Sequence, residues 1–119
     1  MKGYKLYYQD LEAYKSSMDL VVEIYQITRF FPSEEQFGLI SQIRRAVVSI
    51  PSNIAEGCAR HSDKESFRFI NIALGSLAEL ETQVILSQRL GYIQNVDEIL
   101  DKIKRINALV TGLRKYYCS

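Results

Sequence analysis

A single histidine and two cysteines limit what this chain can do by acid–base or metal chemistry. His61 follows Cys58 by three residues, about one helical turn. That spacing is the nearest approach to a thiol nucleophile with a base beside it. No third group orients the pair, so a small buried or interfacial thiol next to a turn histidine is the better account. A di-iron carboxylate site in a helical bundle needs paired Glu-x-x-His motifs. The residue three before His61 is Cys58, not a glutamate, and the requirement fails by counting. Cys58 and Cys118 with one histidine make no tetrahedral zinc set, and no glycine-rich phosphate loop occurs. The expectation is a chain with no catalytic residues, no metal and no cofactor, with both thiols reduced.

Charge and hydrogen bonding remain. Arg44, Arg45, Arg60, Lys64 and Arg68 are the candidates for contact with nucleic-acid phosphates. Arg44 and Arg45 lie about 100° apart on a helix, so one is expected to bind a carboxylate and the other to meet solvent. A net charge of +1 and a pI of about 7.7 fall short of the pI above roughly 9 that marks many nucleic-acid-binding domains. Any such site must be a local patch, made useful by repetition in an assembly. Gln42, Arg45, Ser49, Ser52, Glu56 and Arg60 also recur at three- and four-residue steps, on one face of a helix. With Asn53 and, from the next helix, Asn71, Ser76 and Glu79, this stripe has two readings. It is a buried or interfacial hydrogen-bond network that fixes how subunits register, or a ligand or nucleic-acid surface.

The elements that must position these groups are helical throughout. Residues 1–9, with Tyr4, Tyr7 and Tyr8, are expected to form an arm on the domain or on a neighbour. Asp10 as N-cap and the stripe Leu11, Tyr14, Met18, Val21, Val22, Tyr25 and Thr28 predict a first helix over 10–29, ended by Phe30, Phe31 and Pro32. Ser33 with Gln36 three later is a capping-box pattern, and it opens a second helix over 34–60. Its apolar stripe is Ile40, Ile43, Val47, Ile50 and Ile54. Pro51 lies inside it, where a kink is expected because the ring removes one backbone donor and crowds the carbonyl of Val47. Ser62 and Glu65 form a second capping box and predict a third helix over 63–90, with Phe67, Ile70, Leu74, Leu77, Val84 and Ile85 on one stripe. Phe69, Ala73, Ser76 and Leu80 form a second stripe, and Gly75 with Ser76 leaves room for another helix. Gly91 suits a C-terminal cap. Asn95 then starts a fourth helix over 96–117, with the stripe Ile99, Ile103, Ile106, Leu109, Val110 and Leu113.

Four helices with short turns predict one all-α domain over the 119 residues, an antiparallel up-and-down four-helix bundle. The third helix carries more apolar surface than one core needs, so a homo-oligomer is expected. The N-terminus lacks the apolar segment of a signal peptide. No apolar run approaches the roughly 20 residues that span a bilayer, so a cytoplasmic location without a membrane partner is expected.

Two segments, QIRRAVVSIPSNIAEG (42–57) and FRFINIALGSLAELETQ (67–83), closely resemble the ribosomal-RNA intervening-sequence proteins, also called the four-helix-bundle protein family. DLEAYKSSMDLVVEIYQIT (10–28), followed by FFP, resembles that family's first helix and turn, with Tyr14 where the family often has tryptophan. The resemblance implies a bundle that assembles into a ring, commonly a pentamer, and genes lying inside insertions in large-subunit ribosomal RNA genes. A related group is similar to the accessory proteins of diversity-generating retroelements, which are pentameric barrels that bind nucleic acid and a reverse transcriptase. The expected partners are therefore further copies of the chain, with structured RNA or DNA, or a protein encoded nearby. The expected function is non-enzymatic binding of RNA or DNA; the alternative is a protein-interaction scaffold.

Overall fold

A computed structural model describes residues 7–118 of the chain. They form four helices: α1 (Glu12–Thr28), α2 (Leu39–Ala59), α3 (Asp63–Arg89) and α4 (Asp97–Cys118). Helices adjacent in sequence are neighbours in space, α4 closes back on α1, and α1 and α3 stand on opposite sides. The result is the expected all-α bundle. Of the expected arm, Tyr7 and Tyr8 are described, and the Tyr8 ring meets Tyr14 edge-on at 5.1 Å; Tyr4 lies outside the described residues.

α2 and α3 form the most extensive helix pair, and α2 supplies the closest approach. A Cβ on Gly57 would lie 3.0 Å from Ile70 Cδ1 and 3.1 Å from the Ser66 carbonyl oxygen. Farther along, the Ser76 hydroxyl donates to Ser49 Oγ at 2.8 Å. These two contacts set an antiparallel register. Ile43, Val47, Ile50 and Ile54 of α2 are buried against Ile70, Leu77, Leu80 and Val84 of α3 in the shared core. Ile99, Ile103, Ile106, Val110 and Leu113 bring the face expected of α4 into the same core. α2 runs unbroken through Pro51, whose ring is buried.

The first helix keeps part of the expected face, with Thr28 buried and Leu11, Tyr14 and Val21 packed against the edge of the core. It is turned so that other residues lie deepest. Its buried stripe is Ala13, Ser17, Leu20, Ile24 and Thr28. Met18, Val22 and Tyr25 are exposed. The small residues Ala13 and Ser17 let α1 come close to its neighbours, and Leu20 and Ile24 fill the space beyond. Burying the two hydroxyls is tolerated because Ser17 and Thr28 donate to the carbonyls of Ala13 and Ile24, one turn back. Ile85 was likewise expected inside but is exposed, with the adjacent Val84 taking the core position.

Two helix starts also differ. Asp10 belongs to a short 3-10 turn, and α1 begins after Leu11 without side-chain capping. Ser33–Glu35 forms a second 3-10 turn, and α2 begins only at Leu39, because Gly38 takes a non-helical conformation (φ −113°, ψ −110°). The Glu35 carboxylate caps α2 instead, accepting from the Leu39 N–H at 3.2 Å. Its other oxygen accepts from the Tyr92 hydroxyl at 2.9 Å, which ties the loop before α2 to the loop after α3. The other signals correspond to what forms. Ser62 accepts from the Glu65 N–H at 3.2 Å, and Gly91 takes φ +82°, a conformation that favours glycine.

Among the described residues α3 alone is long and apolar enough, by composition, to cross a membrane. Ile70, Ala73, Leu77, Leu80 and Val84 of this helix point into the bundle, while Ile72, Ile85 and Leu86 are exposed.

Candidate nucleic-acid interface

The five basic residues singled out from the sequence do not form one patch. Arg44 is committed to α1. Its Nε donates to Thr28 Oγ1 at 2.9 Å and its Nη2 to the Tyr25 carbonyl at 3.3 Å. Its guanidinium carbon also lies 4.4 Å from the centre of the Tyr25 ring. A cation is thus held at the negative end of the α1 dipole, where it shares the Tyr25 carbonyl with the Arg29 N–H. No carboxylate among the described residues is involved, contrary to expectation. Arg45 is the arginine that escapes. It is exposed, makes no hydrogen bond or ion pair among the described residues, and shares a shallow groove with Gln42, Ser49 and Glu79.

Arg60, Lys64 and Arg68 gather at the other end of α2, about 22 Å from Arg45 at roughly 1.5 Å per residue. Arg60 pairs with Glu56 one turn back. Its guanidinium carbon lies 4.6 Å from the centre of the Phe69 ring, and that of Arg68 lies 5.0 Å from the same centre. Lys64 is exposed, one turn before Arg68. Arg60 Nε is buried and has no hydrogen-bond partner among the described residues. Phe69 is the residue the sequence did not single out as functional. Its only signal was its place beside Arg68, on a stripe of otherwise small residues.

The polar stripe divides into separate units. Ser49, Ser76 and Asn53 form a real network: Asn53 Nδ2 donates to the Ser49 carbonyl and hydroxyl oxygens at 2.8 and 2.9 Å, while Ser76 donates to the same hydroxyl. Asn71 instead accepts from Arg114 Nη1 of α4 at 3.2 Å. Glu56 serves Arg60, Gln42 and Glu79 border the Arg45 groove, and Ser52 is exposed.

Cys58 is buried and does not pair with His61, which is exposed. Burial pushes its thiol above its ordinary 9.0, opposed by a hydrogen bond with the Tyr117 hydroxyl. A thiol held protonated is a poor nucleophile. Burial, then the Cys58 contact, likewise raises Tyr117. The Glu35 hydrogen bond raises Tyr92 above its ordinary 10.0, and the Glu23 hydrogen bond raises Lys102 above 10.5. All four groups hold protons more tightly folded than unfolded. Their stabilising effect is therefore complete below the unfolded values and is lost as pH rises through the folded ones. The urea midpoint is expected to hold steady between about pH 7 and 8 and to fall from about pH 9 to 11. A midpoint that stays level or rises over the upper window would contradict these assignments.

No cluster of three or more potential metal-ligating side chains occurs among the described residues. Residues 9–112 match the family described as 23S rRNA-intervening sequence protein. A crystal structure of a protein of unknown function from the S23 ribosomal protein family of Bacteroides thetaiotaomicron VPI-5482 superposes with a TM-score of 0.80 at 28% identity, covering 87% of this chain and 95% of that one. A search of curated proteins gives no match.

Proposed function

The chain belongs to the 23S rRNA-intervening sequence protein family, and on that premise we propose that it acts without catalysis, as a cytoplasmic homo-oligomer that binds RNA or DNA through a basic cluster repeated around the assembly. The observation that carries this reading is the grouping of Arg60 and Arg68 on Phe69, with Lys64 one turn away, in a chain otherwise close to neutral. One copy offers few phosphate contacts. A ring multiplies them, and multivalent contact raises affinity without new chemistry.

Assembly is supported by apolar surface on two distinct sides. Met18, Val22 and Tyr25 of α1 are exposed on one side, with Phe37 and Val48 beside Tyr25; Ile72 and Leu86 of α3, about 40° apart around the helix, are exposed on another. Two different faces suit a head-to-tail contact, which closes into a ring when the rotation between copies closes; the pentamer is the ring that the family resemblance implies. The scaffold reading draws on the same surface: Phe30 and Phe37 are 83% and 92% exposed, and a protein encoded nearby could seat on them.

The test is retention on structured RNA across a salt titration, with light scattering on the same sample. Expected are a mass several times the 13.7 kDa of one chain and binding that weakens linearly on a log–log salt plot. A strict monomer, no retention at about 50 mM salt, or binding without salt dependence would overturn the reading.

A further inference from the structure

The Phe69 cluster is built from groups that do more than neutralise phosphate, and its charge is small. Glu56 already pairs with Arg60, and Asp63 and Glu65 stand in the first turn of α3 beside Lys64. Lys64 and Arg68 are the cations of the cluster that make no ion pair among the described residues. Two free cations per copy release few counterions, and phosphate contact alone would need several copies on one duplex. What the cluster does offer is a flat guanidinium backed by an aromatic ring. Arg68 lies 5.0 Å from the Phe69 ring centre and is exposed, so its plane is held by the ring and open to solvent. Arg60 lies 4.6 Å from the same centre and is anchored by Glu56. A supported guanidinium plane stacks on unpaired bases. Bases inside a duplex present no open face to it.

The geometry points to single-stranded nucleic acid as the ligand of this cluster, with unpaired bases stacking on the Phe69-backed guanidinium of Arg68. This rests on the nucleic-acid reading above and narrows it. Lys64 meets the backbone phosphate beside the stacked base, and Arg60 holds the ring in place. Replacing Arg68 by lysine keeps the charge and removes the plane. Replacing Phe69 by leucine keeps apolar bulk and removes the ring at a position outside the buried core.

The experiment is fluorescence anisotropy with a labelled mixed-sequence RNA of about 20 nucleotides, alone and annealed to its complement. It uses the full chain as wild type, Arg68→Lys and Phe69→Leu. Expected is binding to the single strand at least about tenfold tighter than to the duplex, with each variant losing about tenfold on the single strand. The salt slope per cluster should be shallow, about −0.7 for the one phosphate that Lys64 meets on a single strand, and unchanged in Arg68→Lys. Equal or tighter duplex binding, or wild-type affinity in both variants, overturns the inference while leaving the nucleic-acid reading standing. No binding of either RNA at about 50 mM salt overturns both.

Discussion

Leu20→Ala is expected to lower stability by about 3 kcal/mol, and Val22→Ala by less than about 0.5 kcal/mol. Leu20 is 1% exposed and Val22 is 58% exposed. Truncating Leu20 loses its transfer free energy and leaves a cavity that close-packed neighbours fill only in part. Truncating Val22 removes a side chain that is mostly wet in one copy of the chain. Urea unfolding of the two variants at low protein concentration decides the matter, read from midpoints at constant m-value. Equal losses would mean that α1 turns Met18 and Val22 to the core. If Val22 meets a second copy, its variant shifts the midpoint in a concentration-dependent way, which Leu20→Ala does not require.

Gly57→Ala is expected to destabilise the bundle by about 1–3 kcal/mol, although alanine is the better helix former by about 1 kcal/mol. The new methyl would press on Ile70 Cδ1 at 3.0 Å and the Ser66 carbonyl at 3.1 Å, and a backbone oxygen cannot move aside alone. The core must open between α2 and α3, where the helices pack most extensively. Gly112→Ala is the control. Nothing lies within 4 Å of a Cβ there, so the ordinary helix preference should prevail and raise stability by about 0.5–1 kcal/mol. Thermal melts of the pair test the sign directly. Stabilisation by both substitutions would show that α2 and α3 have slack at Gly57.

Much of the bundle was legible in its residues. The α4 stripe, the Ser62 capping box and the Gly91 turn are local signals, and each survives folding because nothing distant competes with it. The face of α1 was not legible, because periodicity finds a stripe but does not say which of two apolar stripes meets the bundle. Large residues favoured the Tyr14–Met18 side, and close approach favoured Ala13 and Ser17. The start of α2 was misplaced for a related reason. Ser33 and Gln36 match a capping box, but Gly38 breaks the helix and Glu35 supplies the cap from its own side chain.

The candidate interface divides along the same line. Residue types alone excluded a di-iron or zinc centre, and helical spacing put Arg44 and Arg45 in different directions. Which of the two stays free depends on where the end of α1 lies, a tertiary contact between residues sixteen apart. Phe69 gained its meaning the same way, since Arg60 reaches its ring only after the α2–α3 turn folds back. The sequence by itself determined that this is an all-helical bundle with few groups for catalysis, because hydrophobic periodicity and residue counts are properties of the chain. Only the tertiary structure decided which arginines remain available, because a guanidinium is occupied or free according to the carbonyls, carboxylates and rings that packing brings within its reach.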